Sequence, residues 1–360
     1  MITNDIPGQY RSLPRAWGVA PVRGVIRSCA DDFLVEEQLG FEPEGEGEHL
    51  FLLLEKRELN TADVVRALSR WASVPQKDIG FCGLKDKHAV TRQWFSIGLA
   101  GRADPDVGVL QNEQLAVLQS RRHRRKLRRG VHRGNRFRLI VRHCEGDREV
   151  LEQRLGQVQQ AGTPNYFGEQ RFGIAGNNLQ SAERWVQDSS RKPQRQQRSM
   201  WLSALRSWLF NALLAERVAT GRWTEPQAGE ACMLNGSNSV FACEAVDAVL
   251  RQRAQECDLH PVLPLWGVGQ SLLTLEAQAR QQQLLADYSH WLKFLEERQL
   301  EWGWRATRSW PDDFCWQFCD DEALKLEFTL APGGYATVVL RELVDYRDAT
   351  SKGKIISEGA

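Results

Sequence analysis

Asp86 stands between Lys85 and Lys87 in the run Gly83-Leu84-Lys85-Asp86-Lys87-His88-Ala89-Val90-Thr91, which continues as Arg92-Gln93-Trp94-Phe95-Ser96. An acid flanked by two cations is expected to stay ionised at neutral pH. An ionised carboxylate on a tight turn can act as a nucleophile or as an electrostatic stabiliser. The same triplet is also an ordinary solvated salt-bridge cluster on many protein surfaces, so these residues alone leave both readings open.

A second constellation is basic. Residues 121–129 are Arg, Lys or His except Leu127, and they lead into Asn135 to His143, where Phe137, Leu139 and Val141 alternate with Arg136, Arg138 and Arg142, Ile140 being the apolar exception. Period two predicts a strand with one packed face and one wet, basic face. Arg124, Arg125, Lys126, Arg128 and Arg129 are therefore candidates for a phosphate track; the alternative is a solvated loop. Phe137 follows Gly134 and Asn135, so an aromatic beside an amide could stack on a base and bond its edge, or be a core Phe beside a turn Asn. Between Pro164 and Gly173, aromatic, amide and arginine side chains suit either a loop that touches RNA or a packed junction.

The elements that must carry these residues follow from patterning. Leu50 to Leu54 reads as a strand, Asn60 as the cap of a helix bearing Val64, Val65, Leu68 and Trp71, and 92–99 as another strand. After residue 162 the pattern turns helical: Ser199 is the expected cap of a helix with Leu202, Leu205, Leu209 and Leu213 on one stripe, and Leu284, Leu285, Tyr288, Trp291, Leu292 and Leu295 form a second stripe. Leu326, Phe328 and Leu330 alternate as a strand, Pro332-Gly333-Gly334 turns, and Tyr335 to Val344 reads as a helix. Tryptophans 201, 208, 266, 291, 302, 304, 310 and 316 are expected mostly in the core, and the last dozen residues as a loose tail. Strand, then helix, then strand predicts an α+β fold: a discontinuous domain of 1–160 and 310–360 with a mainly helical insertion over 161–309.

With 360 residues, 42% of them hydrophobic, the chain can build a large core, and its length fits two domains. A net charge near +1 means that any polyanion must meet a local patch. No apolar run spans a membrane, and Met1 to Asp5 do not open a secretion signal. The eight cysteines, at 29, 82, 144, 232, 243, 257, 315 and 319, lack paired zinc spacing, and the seven histidines are isolated; free thiols in a reducing cytoplasm and no metal are expected.

Together these motifs are similar to one family. Gly83 to Thr91, Gly134-Asn135-Arg136-Phe137, Pro164 to Gly173 and Ala331-Pro332-Gly333-Gly334-Tyr335-Ala336-Thr337 resemble the TruD-type tRNA pseudouridine synthases. Asp32-Phe33-Leu34-Val35-Glu36-Glu37 and Gly45-Glu46-Gly47-Glu48-His49 match the same family, and the likeness runs from about residue 20 to about residue 345. It implies a pseudouridine synthase catalytic domain on an antiparallel sheet, with the TRUD insertion domain. It implies isomerisation of a tRNA uridine, typically at position 13, with no cofactor. Asp86 falls at the family's catalytic aspartate, Arg27 at its basic neighbour, and Asn135 and Phe137 at its pocket residues. Tyr335 stands where the family commonly has Phe, adding a hydroxyl to an aromatic wall. Arg27 is the expected partner of Asp86, with Lys85 and Lys87 near phosphates of the substrate. The expected partner is tRNA, bound by a cytoplasmic monomer. A non-catalytic RNA-binding protein on the same scaffold is the second reading. A hydrolase with paired carboxylates is the third, and it lacks a second acid motif.

Overall fold

The structure is a computed structural model that describes residues 6–237, 239–319 and 322–350. Of the tail expected over the last dozen residues, 351–360 lie outside the described residues; Ala349 and Thr350, at its start, instead form an ordered turn, with Ala349 donating to Ile26 O at 3.0 Å. The chain divides into two compact units. One comprises the described residues of Ala20–Leu155, Pro311–Ala336 and Leu343–Ala360; the other comprises those of Met1–Val19, Gly156–Trp310 and Thr337–Glu342.

The first unit is built on a ten-stranded sheet. Its strands include β1 (Val22–Ile26), β2 (Phe33–Leu39), β3 (His49–Arg57), β4 (Ile79–Phe81), β5 (Val90–Gly98), β6 (Leu115–His123) and β7 (His132–Gly146), with Asp312–Cys319, Ala323–Leu330 and Val344–Asp348 from the end of the chain. The main path runs Asp312–Cys319, Ala323–Leu330, β7, β2, β5, β3, β6; β1 joins β7 to Val344–Asp348, and β4 pairs with β5. All pairings are antiparallel except β1 with Val344–Asp348 and β2 with β5, so the sheet expected to be antiparallel is mixed. Leu50, Leu52 and Leu54 of β3 point inward with the helix Thr61–Trp71, whose Val64, Val65 and Leu68 are buried against them. Asn60 precedes this helix as expected, and Asp63 accepts from its backbone amide at 3.3 Å.

The outer face of this sheet is a lattice of cross-strand charges. Arg136 and Arg138 both bond Glu327 at 3.1 Å, Arg142 holds Asp32 at 2.7 Å, and Arg92 bonds Glu36 and Glu55, each at 3.0 Å. The alternation of β7 is as predicted, but these arginines are paired with acids from a neighbouring strand and from the turn that precedes β2. Opposite charges in register stabilise the pairing, and this face is therefore not a bare phosphate track.

The second unit joins helices to a four-stranded antiparallel sheet in the order Val240–Cys243, Glu230–Leu234, Leu259–Leu265, Gly303–Ala306. The expected cap Ser199 lies inside a longer helix, Arg195–Ala219, that begins after Gln194. The stripe from Leu284 to Leu295 is two helices, Leu275–Leu284 and Ser289–Glu297, separated by a single tight turn at Ala286–Tyr288. Leu284 is consequently exposed, while Leu285, Trp291 and Leu295 are buried. Of the eight tryptophans named above, Trp208, Trp266 and Trp291 are buried and the rest half-buried. Tyr166, Phe167 and Phe172 are buried too, and Asn211 latches the Phe167 main chain in both directions, at 2.8 and 3.0 Å. The Pro164 to Gly173 motif is thus mostly core of this unit rather than an RNA-facing loop. The described residues 6–19 belong here rather than with the sheet. Arg341 donates to Leu13 O at 2.6 Å, Glu342 accepts from the Ala16 amide at 2.9 Å, and Tyr166 donates to Pro14 O at 3.1 Å.

All eight cysteines are free, and no helix among the described residues is long and apolar enough to cross a membrane. His260, buried in the second unit, accepts from Arg308 Nε at Nδ1 (3.1 Å) and faces Asn235 Oδ1 with Nε2 (3.2 Å). That arrangement requires neutral imidazole, and burial, with Arg308 adding to it, pulls its titration down to about 4. The unfolded chain takes up the proton at the ordinary value of 6.5. Stability conferred by neutral His260 is therefore complete above that value and is lost as pH falls towards 4. Denaturant melts between pH 7 and 4 should show a shallower loss in His260→Gln than in the parent protein.

Candidate active site

The loop that carries Asp86 connects β4 to β5 and lies over a polar stretch of the sheet's inner face. Along β3 the inward positions run Leu50, Leu52, Leu54 and then Lys56, which is fully buried. Its Nζ donates to the carbonyls of Leu59 at 2.7 Å and Asp86 at 2.8 Å. Gln93, fully buried on β5, donates to Gly83 O at 2.5 Å and receives the Thr61 hydroxyl at 3.3 Å. The Lys85 amide in turn donates to Thr61 Oγ1 at 3.1 Å. Buried polar groups demand partners, and here the main chain of residues 83–86 supplies them. The loop is held from beneath while the Asp86 carboxylate, 27% exposed, stays accessible.

Arg27 meets that carboxylate. Its Nη2 lies 3.2 Å from Asp86 Oδ2, and its Nη1 donates to Asp348 Oδ2 at 2.5 Å. Asp348 Oδ1 accepts from the Thr350 amide and hydroxyl at 3.0 and 2.7 Å. Arg27 adopts φ +56°, a conformation few non-glycine residues take. It follows β1, whose Ile26 pairs with Asp348. Its guanidinium sits 4.0 Å over the Phe33 ring, Phe33 meets Phe137 edge-on at 6.4 Å, and Phe137 packs on Phe328 at 5.6 Å. Arg27, Asp86 and Phe137 are thereby linked through one aromatic cluster. Phe137 is only 7% exposed, so it forms a wall rather than an open stacking platform.

Lys85 points away from Asp86. Its side chain, 7% exposed, pairs with the fully buried carboxylate of Glu37 at 2.9 Å and donates to Asn135 Oδ1 at 2.7 Å. The expectation of Lys85 beside a substrate phosphate is corrected by this burial; Lys87 is the exposed member of the pair. Tyr335 is half-buried beyond the turn that follows Leu330, and Leu330 is the strand partner of Asn135.

The basic segment over 124–129 connects β6 to β7 and runs beside β4. Gly130 donates to Cys82 O at 2.9 Å, and Leu127 donates to Ser96 Oγ at 3.0 Å. Gly80 is required here, because a side-chain carbon would collide with the Leu127 carbonyl. Arg124 is paired with Glu44 and Glu46, Lys126 bonds the Lys77 carbonyl, and Arg129 stacks 3.8 Å over Phe81. Arg125 and Arg128 are exposed and make no ion pair among the described residues. The acidic stretch at residues 42–46 thus quenches part of the expected track.

Glu37, Cys82 and His132 bring ligand-type atoms within 4.8 Å of one another in a buried cluster that spacing did not reveal. The donor set does not suit a cation. Burial, reinforced by Glu37, pushes the Cys82 thiol up to about 12, and the Lys85 ammonium already occupies the charge-balancing position at Glu37. Asp348, Lys56, Thr61, Gln93 and Glu37 were given no site role from sequence. A cation or acid at an inward position of an apolar strand was the available signal for Lys56 and Glu37.

Burial pulls the Lys56 ammonium down to about 8, whereas the unfolded chain keeps its proton to the ordinary 10.5. The folded protein releases the proton first, so this residue makes stability rise with pH through that window. Lys56→Met should remove that alkaline rise in denaturant melts and, by freeing the Asp86 carbonyl, increase protease cleavage within residues 83–88.

The family model for tRNA pseudouridine synthase D (TruD) matches residues 14–180 and 176–343. A tRNA pseudouridine synthase D of Methylococcus capsulatus is 46% identical over 342 residues, covering 95% of this chain and 96% of that one. Another, of Nitrosococcus oceani, is 44% identical over 336 residues, covering 93% and 94%. A crystal structure of a candidate tRNA pseudouridine synthase D from Methanosarcina mazei superposes with a TM-score of 0.68 at 22% identity, covering 93% of this chain and 96% of that one, and so shares its fold. With its sequence likeness extending over nearly the whole length, the chain belongs to the tRNA pseudouridine synthase D (TruD) family.

Proposed function

We propose that this protein isomerises a uridine of tRNA, at position 13, to pseudouridine, with Asp86 as the residue that engages the ribose. The observation that carries the reading is an accessible carboxylate, paired with Arg27, on a loop whose main chain is fixed by three buried side chains. The net reaction breaks N1–C1′, turns the uracil and joins C5 to C1′; the proton leaving C5 is balanced by one gained at N1. Bonds are only rearranged, so a positioned nucleophile or base and a pocket that retains the freed uracil meet the need. Asp86 acts either by attacking C1′ or by removing a ribose proton, and both place its carboxylate against the sugar.

A uridine within folded RNA must first leave its stack, at a cost of a few kcal/mol. The wall formed by Phe137, with Asn135 on the same strand face and Tyr335 nearby in the fold, is the surface we assign to the base. Aromatic contact of this kind contributes about 1–3 kcal/mol per base. Arg27 has one task in this reading, fixing the direction of the carboxylate. Arg125, Arg128 and Lys87 are exposed cations that can meet phosphates.

Asp86→Asn should abolish pseudouridine formation in tRNA, read by chemical mapping of the modified base, while tRNA binding stays within a few-fold. Normal turnover by that variant would remove Asp86 from the mechanism. The double change Arg125→Glu with Arg128→Glu should weaken tRNA binding and lower the slope of log affinity against log salt by about one unit for each phosphate that is no longer neutralised. An unchanged slope would move the RNA path elsewhere.

A further inference from the structure

Glu37 of β2 and Asn135 of β7 stand directly opposite each other in the antiparallel register. Opposite residues share a face, and Lys85 enters from the loop above to reach both, 2.9 Å from Glu37 Oε2 and 2.7 Å from Asn135 Oδ1. The next residue along the chain is Asp86. An asparagine amide presents an acceptor on one side and a donor on the other, and a half-turn of its last bond exchanges them. An ammonium offers donors only, so Lys85 admits the oxygen alone. The Asn135 NH2 group is thereby turned away from Lys85, and it meets no acceptor among the described residues. Asn135 is half-buried, which leaves that donor reachable. Glu37 completes the device: its carboxylate supplies the opposite charge that a nearly buried ammonium requires.

We propose that Lys85, anchored on Glu37, is a positioning residue that sets Asn135 as a fixed hydrogen-bond donor to the O4 carbonyl of the target base, and that this lock makes the pocket accept uracil and refuse cytosine. The two bases differ at this edge, where uracil carries a carbonyl and cytosine an amino group that would set donor against donor. Without the lysine the amide can turn over, and the donor that favours uracil becomes one of two orientations. The inference rests on the reading of Asp86 and its surroundings as the uridine site.

The test is single-turnover kinetics on tRNA carrying either uridine or 4-thiouridine at the target position, since sulfur at C4 is the poorer acceptor. The parent protein should react about tenfold more slowly with 4-thiouridine, the size expected for one hydrogen bond weakened in a desolvated site. Lys85→Met should be about tenfold or more slower on uridine and show less than about a twofold difference between the two substrates. Glu37→Gln, which keeps the lysine but removes its countercharge, should shrink the difference in the same direction and guards against a Lys85 variant that fails to fold. A merely structural role would slow both substrates alike and preserve their ratio. A parent protein indifferent to sulfur, or variants that keep the full tenfold ratio, would overturn the proposal. If Asp86→Asn is inactive while the ratio persists in both variants, only this inference falls; if Asp86→Asn turns over normally, the site reading falls first.

Discussion

A cation buried beneath the loop is the constraint on which the rest depends. β3 alternates apolar residues into the core until Lys56, and an ammonium placed there must find carbonyl oxygens or carry an uncompensated charge. It finds Leu59 and Asp86. Gln93 and Thr61 add the same demand from β5 and from the neighbouring helix. The course of residues 83–86 is therefore dictated by the polar groups below it. In the proposed reading of Asp86, a carboxylate fixed this way before substrate arrives needs little reorganisation when the reaction occurs, which is where much of an enzyme's advantage over water originates.

Charge elsewhere in the sheet unit is arranged to cancel. Glu327 serves Arg136, Arg138 and Lys325, Asp32 serves Arg142, and Glu44 and Glu46 serve Arg124. In a chain with a net charge near +1, these arginines are matched by the protein's own acids.

Much of this was legible in the sequence because it is local or periodic. The alternation over 135–143, the helix after Asn60 and the strand over 326–330 all follow from side-chain period, and Arg27 falls against Asp86 as the family likeness implied. What was not legible depends on partners distant in the chain. Nothing near Lys85 shows that it would fold inward to Glu37, and nothing near residues 124–129 shows that acids some eighty positions earlier would neutralise part of them. Ser199 departs from expectation for a different reason: a serine that can cap a helix can also sit within one when the apolar stripe continues on its N-terminal side. The bend at Leu285 to Tyr288 was hidden because both flanking helices keep their apolar residues on a compatible spacing.

Arg27 meets Asp86 with one nitrogen and Asp348 with the other, and 321 residues separate Arg27 from Asp348 in the chain. β1 and the strand Val344–Asp348 lie side by side and parallel, so the first strand of the sheet waits for one of the last. On the ribosome, the motif around Asp86 emerges long before the residue that aims its guanidinium partner. A polypeptide interrupted between the Asp86 loop and Asp348 would carry that loop and lack the Asp348 contact to Arg27. The pairing of Arg27 with both acids is thus completed only once the strand Val344–Asp348 has been made.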